Sequence, residues 1–235
     1  MSTEAIFTDD AYQRECEARV VAVGQDGIEL DRTVFYPRGG GQPGDSGTFV
    51  GSTGREITIA DTVYGEGGRI VHLAENGATL PEAGDVVRAV LDWERRYRHM
   101  RMHTCLHLLG TLLPYGVTGG NITSERSRLD FDMEEIPDKE QVESDLNRLI
   151  EDDHRVQTRW ITDEELDARP ELVRTMKVKP PRDAGKVRLL EIADIDLQPC
   201  GGTHLLRTGE VGRARISKIE KKGRHNRRVY IVLDE

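Results

Sequence analysis

Two segments, His103-Thr-Cys-Leu-His107 and Cys200-Gly-Gly-Thr-His204, decide how this 235-residue chain is interpreted. The first carries two histidines four positions apart, which share one face if residues 98–113 form a helix. The second repeats that interval with a cysteine and a histidine, but its two glycines favour a tight loop over a helix. The number and types of these side chains favour zinc, so we predict one Zn²⁺ per chain. The predicted metal ligands are His103, His107, Cys200 and His204.

Each half of this pattern is weak evidence by itself. An HxxxH pair in an apolar helix is more often a pair of core or surface histidines, and CxxxH is hardly more specific. The combination is stronger, because one half lies in a helical pattern and the other in a Gly-Gly loop. Cys105, between the two histidines, would point elsewhere on the helix and is interpreted as a packing residue.

The length and composition are those of a chain with one large or two modest domains. Three cysteines, an odd number, are typical of a reducing compartment. The N-terminus has no basic segment followed by an apolar run, and no window holds about 18 consecutive apolar residues. We therefore expect a cytoplasmic protein without membrane contact. The formal net charge of -9 excludes a general polyanion binder, so any contact with nucleic acid needs a local basic patch.

Residues 1–92 are predicted to form a small β-barrel-like domain, with its boundary near Leu91–Trp93. Short alternating runs separated by glycine indicate strands, and no helical periodicity of useful length occurs before residue 92. The predicted strands are Glu17–Val23, Gly27–Arg32, Gly47–Val50, Arg55–Tyr64, Arg69–Leu73 and Asp85–Asp92.

The glycine-rich segment at residues 35–47, FYPRGGGQPGDSG, has the most unusual composition in the chain. Pro37 interrupts the strand that should precede a nucleotide-binding turn, and Pro43 stands where the following helix should begin. The match to GxGxxG therefore indicates neither a dinucleotide turn nor a P-loop. Two interpretations stay open: a wide loop that needs positive φ at several positions, or a flexible, donor-rich loop that contacts substrate or covers a neighbouring site. The matching glycines are Gly39, Gly41 and Gly44.

Residues 93–235 are predicted to form an α/β two-layer sandwich, which makes the chain α+β overall. Ser127–Asp132 alternates like a half-buried strand, and residues 137–155 form the clearest amphipathic helix. Four arginines near the start of the first helix are open to two interpretations, a solvated helix face or an edge that contacts phosphate. They are Arg95, Arg96, Arg98 and Arg101.

A hairpin is predicted at Val211–Ile219 and Arg227–Leu233, and its turn holds the densest positive cluster of this acidic chain. A run of charge is usually a solvated loop, but this density against a net charge of -9 favours polyanion binding. The candidate phosphate contacts are Lys218, Lys221, Lys222, Arg224, Arg227 and Arg228.

HTCLH, CGGTH, SRLDFD and GEVGRARISKIEKKGRHNRRVYI together resemble the editing domain of alanyl-tRNA synthetase. With FYPRGGGQPGDSG ahead of them, they resemble the stand-alone alanyl-tRNA editing proteins of the medium-length AlaX class, from Phe35 to Ile231. The paired metal motifs also occur in threonyl-tRNA synthetase editing domains, whereas the glycine-rich segment and CGGTH favour the alanyl branch. No ATP-binding aminoacylation domain is recognised, so activity in trans is expected.

The resemblance implies a zinc-dependent editing domain that hydrolyses Ser-tRNA(Ala), with Gly-tRNA(Ala) as a second candidate substrate. The partner would be the acceptor end of tRNA(Ala), which the six cations of the hairpin would contact; a monomer is expected. Two alternatives remain, threonyl-type editing of Ser-tRNA(Thr) and a zinc-containing RNA-binding module without catalysis.

The resemblance also suggests roles for individual residues. His103 and His107, with Thr104, would be the catalytic residues. Four protein ligands would close a tetrahedral zinc, which leaves two alternatives. Either one ligand is labile, for which His204 is the candidate, or the metal mainly orients substrate while another group positions the water. Asp130 is a conceivable general base. The candidate contacts to the seryl hydroxyl are Thr104, Thr118 and Thr123, and those to the rest of the substrate are Gly39, Gly40, Gly41 and Gln42.

Overall fold

The computed structural model describes residues 3–176 and 185–234. The chain divides into two compact units, Met1–Arg98 and His99–Glu235, each described by itself below. The first long helix, α1, spans Trp93–Leu112 and crosses this division. Among the described residues no helix is both long enough and apolar enough to cross a bilayer.

The first unit is built around a closed barrel of six strands, which confirms the predicted small barrel. Its strands follow the spatial order β2-β3-β7-β6-β5-β8, and every pair is antiparallel. The short strands β1 and β4 pair with each other in parallel. The bounds are β1 Glu4–Ala5, β2 Glu15–Gly24, β3 Gly27–Leu30, β4 Arg32–Thr33, β5 Gly47–Gly51, β6 Glu56–Tyr64, β7 Ile70–Ala74 and β8 Val86–Leu91.

The barrel encloses its apolar core because successive strand residues point alternately inward and outward. Phe35 and Phe49 lie edge to face, with ring centroids 5.6 Å apart. His72 is fully buried beside both rings. Its ring nitrogens lie 2.9 Å from the Thr33 hydroxyl and 3.0 Å from the Ile28 carbonyl. This histidine is therefore a hydrogen-bonded core residue, and burial lowers its pKa to about 4.

The glycine-rich segment forms a tight turn in which Gly39 and Gln42 exchange backbone hydrogen bonds. The two central residues, Gly40 and Gly41, have φ of 56° and 84°, as a type I′ turn requires. Gly44 is needed for a different reason, since a Cβ there would meet the Thr62 carbonyl oxygen at 2.0 Å. The exposed tip is thus confined to Gly40 and Gly41, whereas Gln42 is buried. Gln42 therefore does not face solvent, and its predicted role as a substrate contact stays a prediction.

Asp45, at the end of the same segment, forms a fully buried ion pair with Arg96 of α1. The carboxylate accepts from the Arg96 guanidinium and from the Tyr36 N–H. The guanidinium also donates to the carbonyls of Ala11 and Val34, at 2.9 and 2.6 Å. Neither interpretation of the arginine run holds for Arg96, which connects the segment to the helix inside the first unit.

The second unit contains two antiparallel sheets, one in the order β14-β15-β10-β9 and the other in the order β11-β12-β13. Its helices, besides the later turns of α1, are α2 at Lys139–Glu151 and α3 at Asp163–Asp167. The strand bounds are β9 Val117–Asn121, β10 Ser127–Asp132, β11 Val156–Thr162, β12 Lys186–Ile192, β13 Asp196–Pro199, β14 Ala214–Gly223 and β15 Asn226–Leu233.

Helix α2 follows its sequence pattern closely. Asp138 caps its N-terminus by accepting from two backbone N–H groups of the first turn. Val142, Leu146 and Ile150 are buried on one face, as their spacing predicts. Strands and helices in both units place the chain in the α+β class.

Candidate metal centre

Helix α1 supplies one half of the predicted donor set. His103 and His107 are one turn apart and both are buried, with ring centroids separated by 5.2 Å. Cys105 is fully buried, and burial raises the pKa of its thiol to about 12, so it packs as a small apolar residue.

A non-helical loop after β13 supplies the other half. Arg188 of the adjacent strand β12 is buried and shapes this loop by donating to the carbonyls of Cys200 and Gly202, at 3.2 and 2.7 Å. The Cys200 N–H in turn donates to the Arg188 carbonyl. These bonds fold the loop so that Cys200 and His204 face the same point.

The four predicted ligands converge: one donor atom from each of His103, His107, Cys200 and His204 lies within 4.8 Å of all the others. Cys200 Sγ is 3.2 Å from His204 Nε2 and 3.6 Å from His103 Nε2. Tetrahedral zinc, with Zn–N near 2.0–2.1 Å and Zn–S near 2.3 Å, needs ligand separations of roughly 3.3–3.6 Å. The donor set therefore fits a zinc ion in its chemistry, and the two Cys200 separations are close to this range.

Two of the histidines are oriented through their other ring nitrogen. His107 Nδ1 lies 3.2 Å from Asp196 Oδ2, and His204 Nδ1 lies 3.3 Å from Thr104 Oγ1. Thr104 also accepts from the Leu205 N–H at 3.2 Å. Its hydroxyl is thus buried behind His204, where it holds that ring in place. This position gives Thr104 a positioning role toward His204, while its predicted contact with substrate and the predicted lability of His204 stay predictions.

The donor set has the electrostatics of a cation site. Burial disfavours the Cys200 thiolate, but the neighbouring histidines outweigh burial and hold the pKa of the thiol well below its ordinary value. Burial also opposes protonation of His107, yet Cys200 and Asp196 raise its pKa to about 9. Burial and the nearby His103 hold the pKa of His204 well below its ordinary value. A thiolate and a carboxylate thus face a group of imidazoles, an arrangement that attracts positive charge.

The other predicted substrate contacts lie in local hydrogen-bond networks. Thr118 on β9 donates to the Asp130 carbonyl and accepts from the Asn226 amide. Thr123 caps a turn by accepting from two backbone N–H groups, those of Glu125 and Arg126.

Asp130 is bound by two arginines. Its carboxylate accepts from Arg128 at 2.6 Å and from Arg228 at 2.7 and 2.8 Å. Partial burial disfavours the carboxylate, but both guanidiniums outweigh it and lower the pKa of Asp130. A strongly paired carboxylate is a weak proton acceptor, which argues against Asp130 as the general base.

The six cations of the β14–β15 hairpin divide into two groups. Arg227 is buried and donates to the backbone carbonyls of Gly223, Asn226 and Glu134, and Arg228 is half-buried against Asp130. Their guanidiniums therefore support the fold. The remaining four are exposed: Lys218, Lys221, Lys222 and Arg224. Of these, Lys218 and Lys222 share the carboxylate of Glu220.

Asp196 is the residue of the site that the motifs did not indicate. The sequence signal that could have indicated Asp196 is alternation with a period of two. Along β13 and the residue after it, this alternation places Asp196, Gln198 and Cys200 on one face. Burial disfavours the Asp196 carboxylate, but His107, Gln198 and Arg174 outweigh it, so the pKa of this group is lowered and it stays ionised.

Two family models match parts of this chain. Residues 187–230, which contain Cys200 and His204, match the family described as "Threonyl and Alanyl tRNA synthetase second additional domain". Residues 1–95 match "tRNA synthetases class II (A)".

Full-length relatives extend the match to the whole chain. The alanyl-tRNA editing protein AlaX-M of Methanosarcina acetivorans is 37% identical over 98% of this chain and 99% of its own length. The protein of the same name from Saccharolobus solfataricus is 34% identical over 98% and 99%. An alanine–tRNA ligase from Pyrococcus abyssi is 37% identical over 93% of this chain but only 24% of the ligase. This chain therefore belongs to the alanyl-tRNA editing proteins of the AlaX-M type.

Proposed function

We propose that this protein is an aminoacyl-tRNA deacylase that acts in trans on mischarged tRNA(Ala), with Ser-tRNA(Ala) as its main substrate and Gly-tRNA(Ala) as a second. The observation that carries the proposal is the convergence of His103, His107, Cys200 and His204 on one point. The editing proteins to which the chain is similar are named for the same tRNA. Such a substrate places the activity in the cytoplasm.

The chemistry of the amino acids explains why a separate hydrolytic site is useful. An apolar pocket that accepts alanine cannot strongly reject serine, which merely adds a hydroxyl, and the methyl that glycine lacks is worth only about 1–3 kcal/mol. A second site that hydrogen-bonds the hydroxyl can make the distinction, because its polar groups stay unpaired when alanine enters.

The reaction is attack of water on the ester between the amino acid and the terminal ribose. Zinc held by these four donors would supply Lewis acidity toward the ester carbonyl and toward water. The protein's contribution is to hold the donors at fixed distances: Thr104 orients His204, and Asp196 orients His107.

The exposed members of the cationic hairpin are our candidates for contacts with the acceptor end. Phosphate contacts require exposed charge, which retains Lys218, Lys221, Lys222 and Arg224 and removes Arg227. In the first unit, the exposed tip at Gly40 and Gly41 is the part of the glycine-rich segment that retains a role in substrate binding. The hydroxyls of Thr118 and Thr123 would have to leave their present partners to bind a seryl group.

The direct test is release of labelled serine from Ser-tRNA(Ala) by the purified protein. We expect rapid release, little release of alanine from Ala-tRNA(Ala), and loss of activity on chelation with recovery on adding Zn²⁺. His103→Ala, which removes one of the four ligands, is expected to abolish release.

Two controls separate the alternatives. Faster hydrolysis of Ser-tRNA(Thr) than of Ser-tRNA(Ala) would assign the protein to threonyl-type editing. A protein that binds zinc and tRNA(Ala) but hydrolyses neither ester would be an RNA-binding module, and the proposal of catalysis would be wrong.

A further inference from the structure

Asp196 lies directly behind the metal ligands, with its carboxylate completely buried. Two hydrogen-bonding groups and one ion-pair partner surround it. His107 Nδ1 is 3.2 Å from Oδ2, the Gln198 amide donates to the same oxygen, and Arg174 Nη2 lies 3.1 Å from Oδ1. Because His107 lies between this carboxylate and the other metal ligands, Asp196 acts on the site through that ring.

Arg174 extends this arrangement to the helix. Its Nη1 donates to the carbonyl of Gly110 at 2.8 Å, one turn beyond His107 on α1. The same guanidinium pairs with Asp196 on β13, four residues before Cys200. Arg174 therefore bridges the two elements that carry the two halves of the donor set.

We propose that Asp196 and Arg174 form a clamp that preorganises the metal centre: the carboxylate fixes the His107 ring with Nε2 toward the other donors, and the guanidinium holds α1 against β13. This inference rests on the proposed metal site and assigns Asp196 as a positioning residue. Outer partners of this kind typically contribute 10–100-fold to metal affinity. A clamp made only of protein groups also keeps the donors together without the ion.

A carboxylate suits this environment better than an amide. An asparagine amide at position 196 has one acceptor and one donor end, whereas all three neighbours present N–H groups. If its oxygen faces His107 and Gln198, its NH₂ faces Arg174; in the opposite orientation the NH₂ faces the ring. In either orientation an N–H group of the asparagine faces an N–H group of a neighbour in a buried position. Asp196→Asn therefore disturbs the position of His107 with almost no change in side-chain volume.

The experiment compares the Zn²⁺ affinity of the metal-free wild-type protein and variants by competition with a chromophoric chelator, at one pH and without tRNA. Asp196→Asn is expected to raise the Kd for Zn²⁺ by 10–100-fold. Asp194→Asn is the matched control, since Asp194 is exposed two residues earlier in the chain and its positive φ of 63° suits asparagine. That variant is expected to bind Zn²⁺ like the wild type.

A second variant distinguishes a loss of Zn²⁺ affinity from a loss of folding. In Asp196→Asn/Arg174→Met no half-buried guanidinium is left without its carboxylate, so stability partly recovers while the loss of Zn²⁺ affinity remains. Absorption of bound Co²⁺ gives a spectroscopic check, because a misplaced His107 changes the tetrahedral d–d bands. Zn²⁺ affinity of Asp196→Asn within twofold of the wild type would overturn the proposal, as would metal-free wild-type protein that is unfolded.

This outcome is independent of the deacylation assay. Tight Zn²⁺ binding that depends on Asp196, in a protein that hydrolyses no aminoacyl-tRNA, would support the clamp and contradict the proposed function. Hydrolysis of Ser-tRNA(Ala) by a protein whose Zn²⁺ affinity does not depend on Asp196 would support the proposed function and contradict the clamp.

Discussion

Replacing Asp45 by asparagine tests the buried ion pair that ties the glycine-rich segment to α1. In the wild type both side chains of the Asp45–Arg96 pair are fully buried. The substitution keeps the size of the side chain but removes its charge, which leaves the buried Arg96 guanidinium without its carboxylate partner. The change therefore isolates the electrostatic contribution of one carboxylate.

The expected cost is large because the remaining charge has no access to water. Removing one partner of a buried ion pair typically costs about 3–5 kcal/mol. The Ala11 and Val34 carbonyls still accept from Arg96 and compensate for part of the charge, which favours the lower end of this range. With a urea m-value of about 2 kcal/mol/M, a loss of about 3 kcal/mol lowers the unfolding midpoint by roughly 1.5 M.

The chain offers a built-in reporter for this unit. Its two tryptophans are divided between the units: Trp93 packs under Arg14 and beside Tyr12, and Trp160 is 42% exposed on β11. A Trp160→Phe background therefore makes tryptophan fluorescence report on Trp93 alone. Urea unfolding of Asp45→Asn in this background measures the change in free energy of unfolding.

Glu15→Gln is the control, because it removes a carboxylate from the exposed Glu15–Arg88 pair of the same barrel. Exposed pairs contribute about 0–1 kcal/mol, so this variant is expected to unfold almost like the reference. The double variant Asp45→Asn/Arg96→Met should cost less than the sum of its single changes. Equal, small losses for Asp45→Asn and Glu15→Gln would refute the reasoning.

The buried hydroxyl of Thr104, the buried ring of His72 and two exposed cations each lead to a measurable outcome. Thr104→Val leaves the Leu205 N–H without its acceptor and should lower the free energy of unfolding in urea by about 1–3 kcal/mol. Thr104→Ser keeps the hydroxyl and should cost clearly less. Equal losses for the two variants would contradict the role of the hydroxyl. His72 has a pKa of about 4 in the folded protein and about 6.5 in the unfolded chain, so the unfolded chain takes up the proton first as pH falls. The folded state therefore loses about 2 kcal/mol of stability between pH 7 and 5. His72→Gln should remove that share of the pH dependence, and an unchanged profile would contradict the assignment. Lys221→Gln and Arg224→Gln should weaken tRNA(Ala) binding and reduce its salt dependence by roughly one unit of slope per lost contact; unchanged slopes would exclude these side chains from the interface.

The parts that could be predicted from sequence depend on short-range patterns. Alternation and glycine spacing indicated the strands of the barrel, and the apolar period of α2 indicated its buried face. The intervals within HTCLH and CGGTH indicated that each half could present two ligands to one point. In each case the side-chain direction follows from the local backbone conformation, which the sequence within a few residues determines.

The parts that sequence reasoning assigned differently depend on pairing between distant residues. Arg96 looked like a member of an exposed basic run, and Arg227 looked like a phosphate contact, but both are buried because acceptors from other elements surround them. Thr104 looked like a substrate contact because it adjoins a ligand in sequence; in the structure it supports His204, a hundred positions away. A side chain of one type can serve either role, and its partners decide which.

The sequence by itself determined which side chains can bind a metal and which strands can close a barrel, since both follow from residue type and spacing along one element. Only the tertiary structure decided that the helix and the loop present their ligands to the same point, and that Asp196 and Arg174 stand behind them. The physical reason is that a donor set from two elements exists only when packing and buried hydrogen bonds bring the elements together, and that energy is distributed over contacts that no single segment contains.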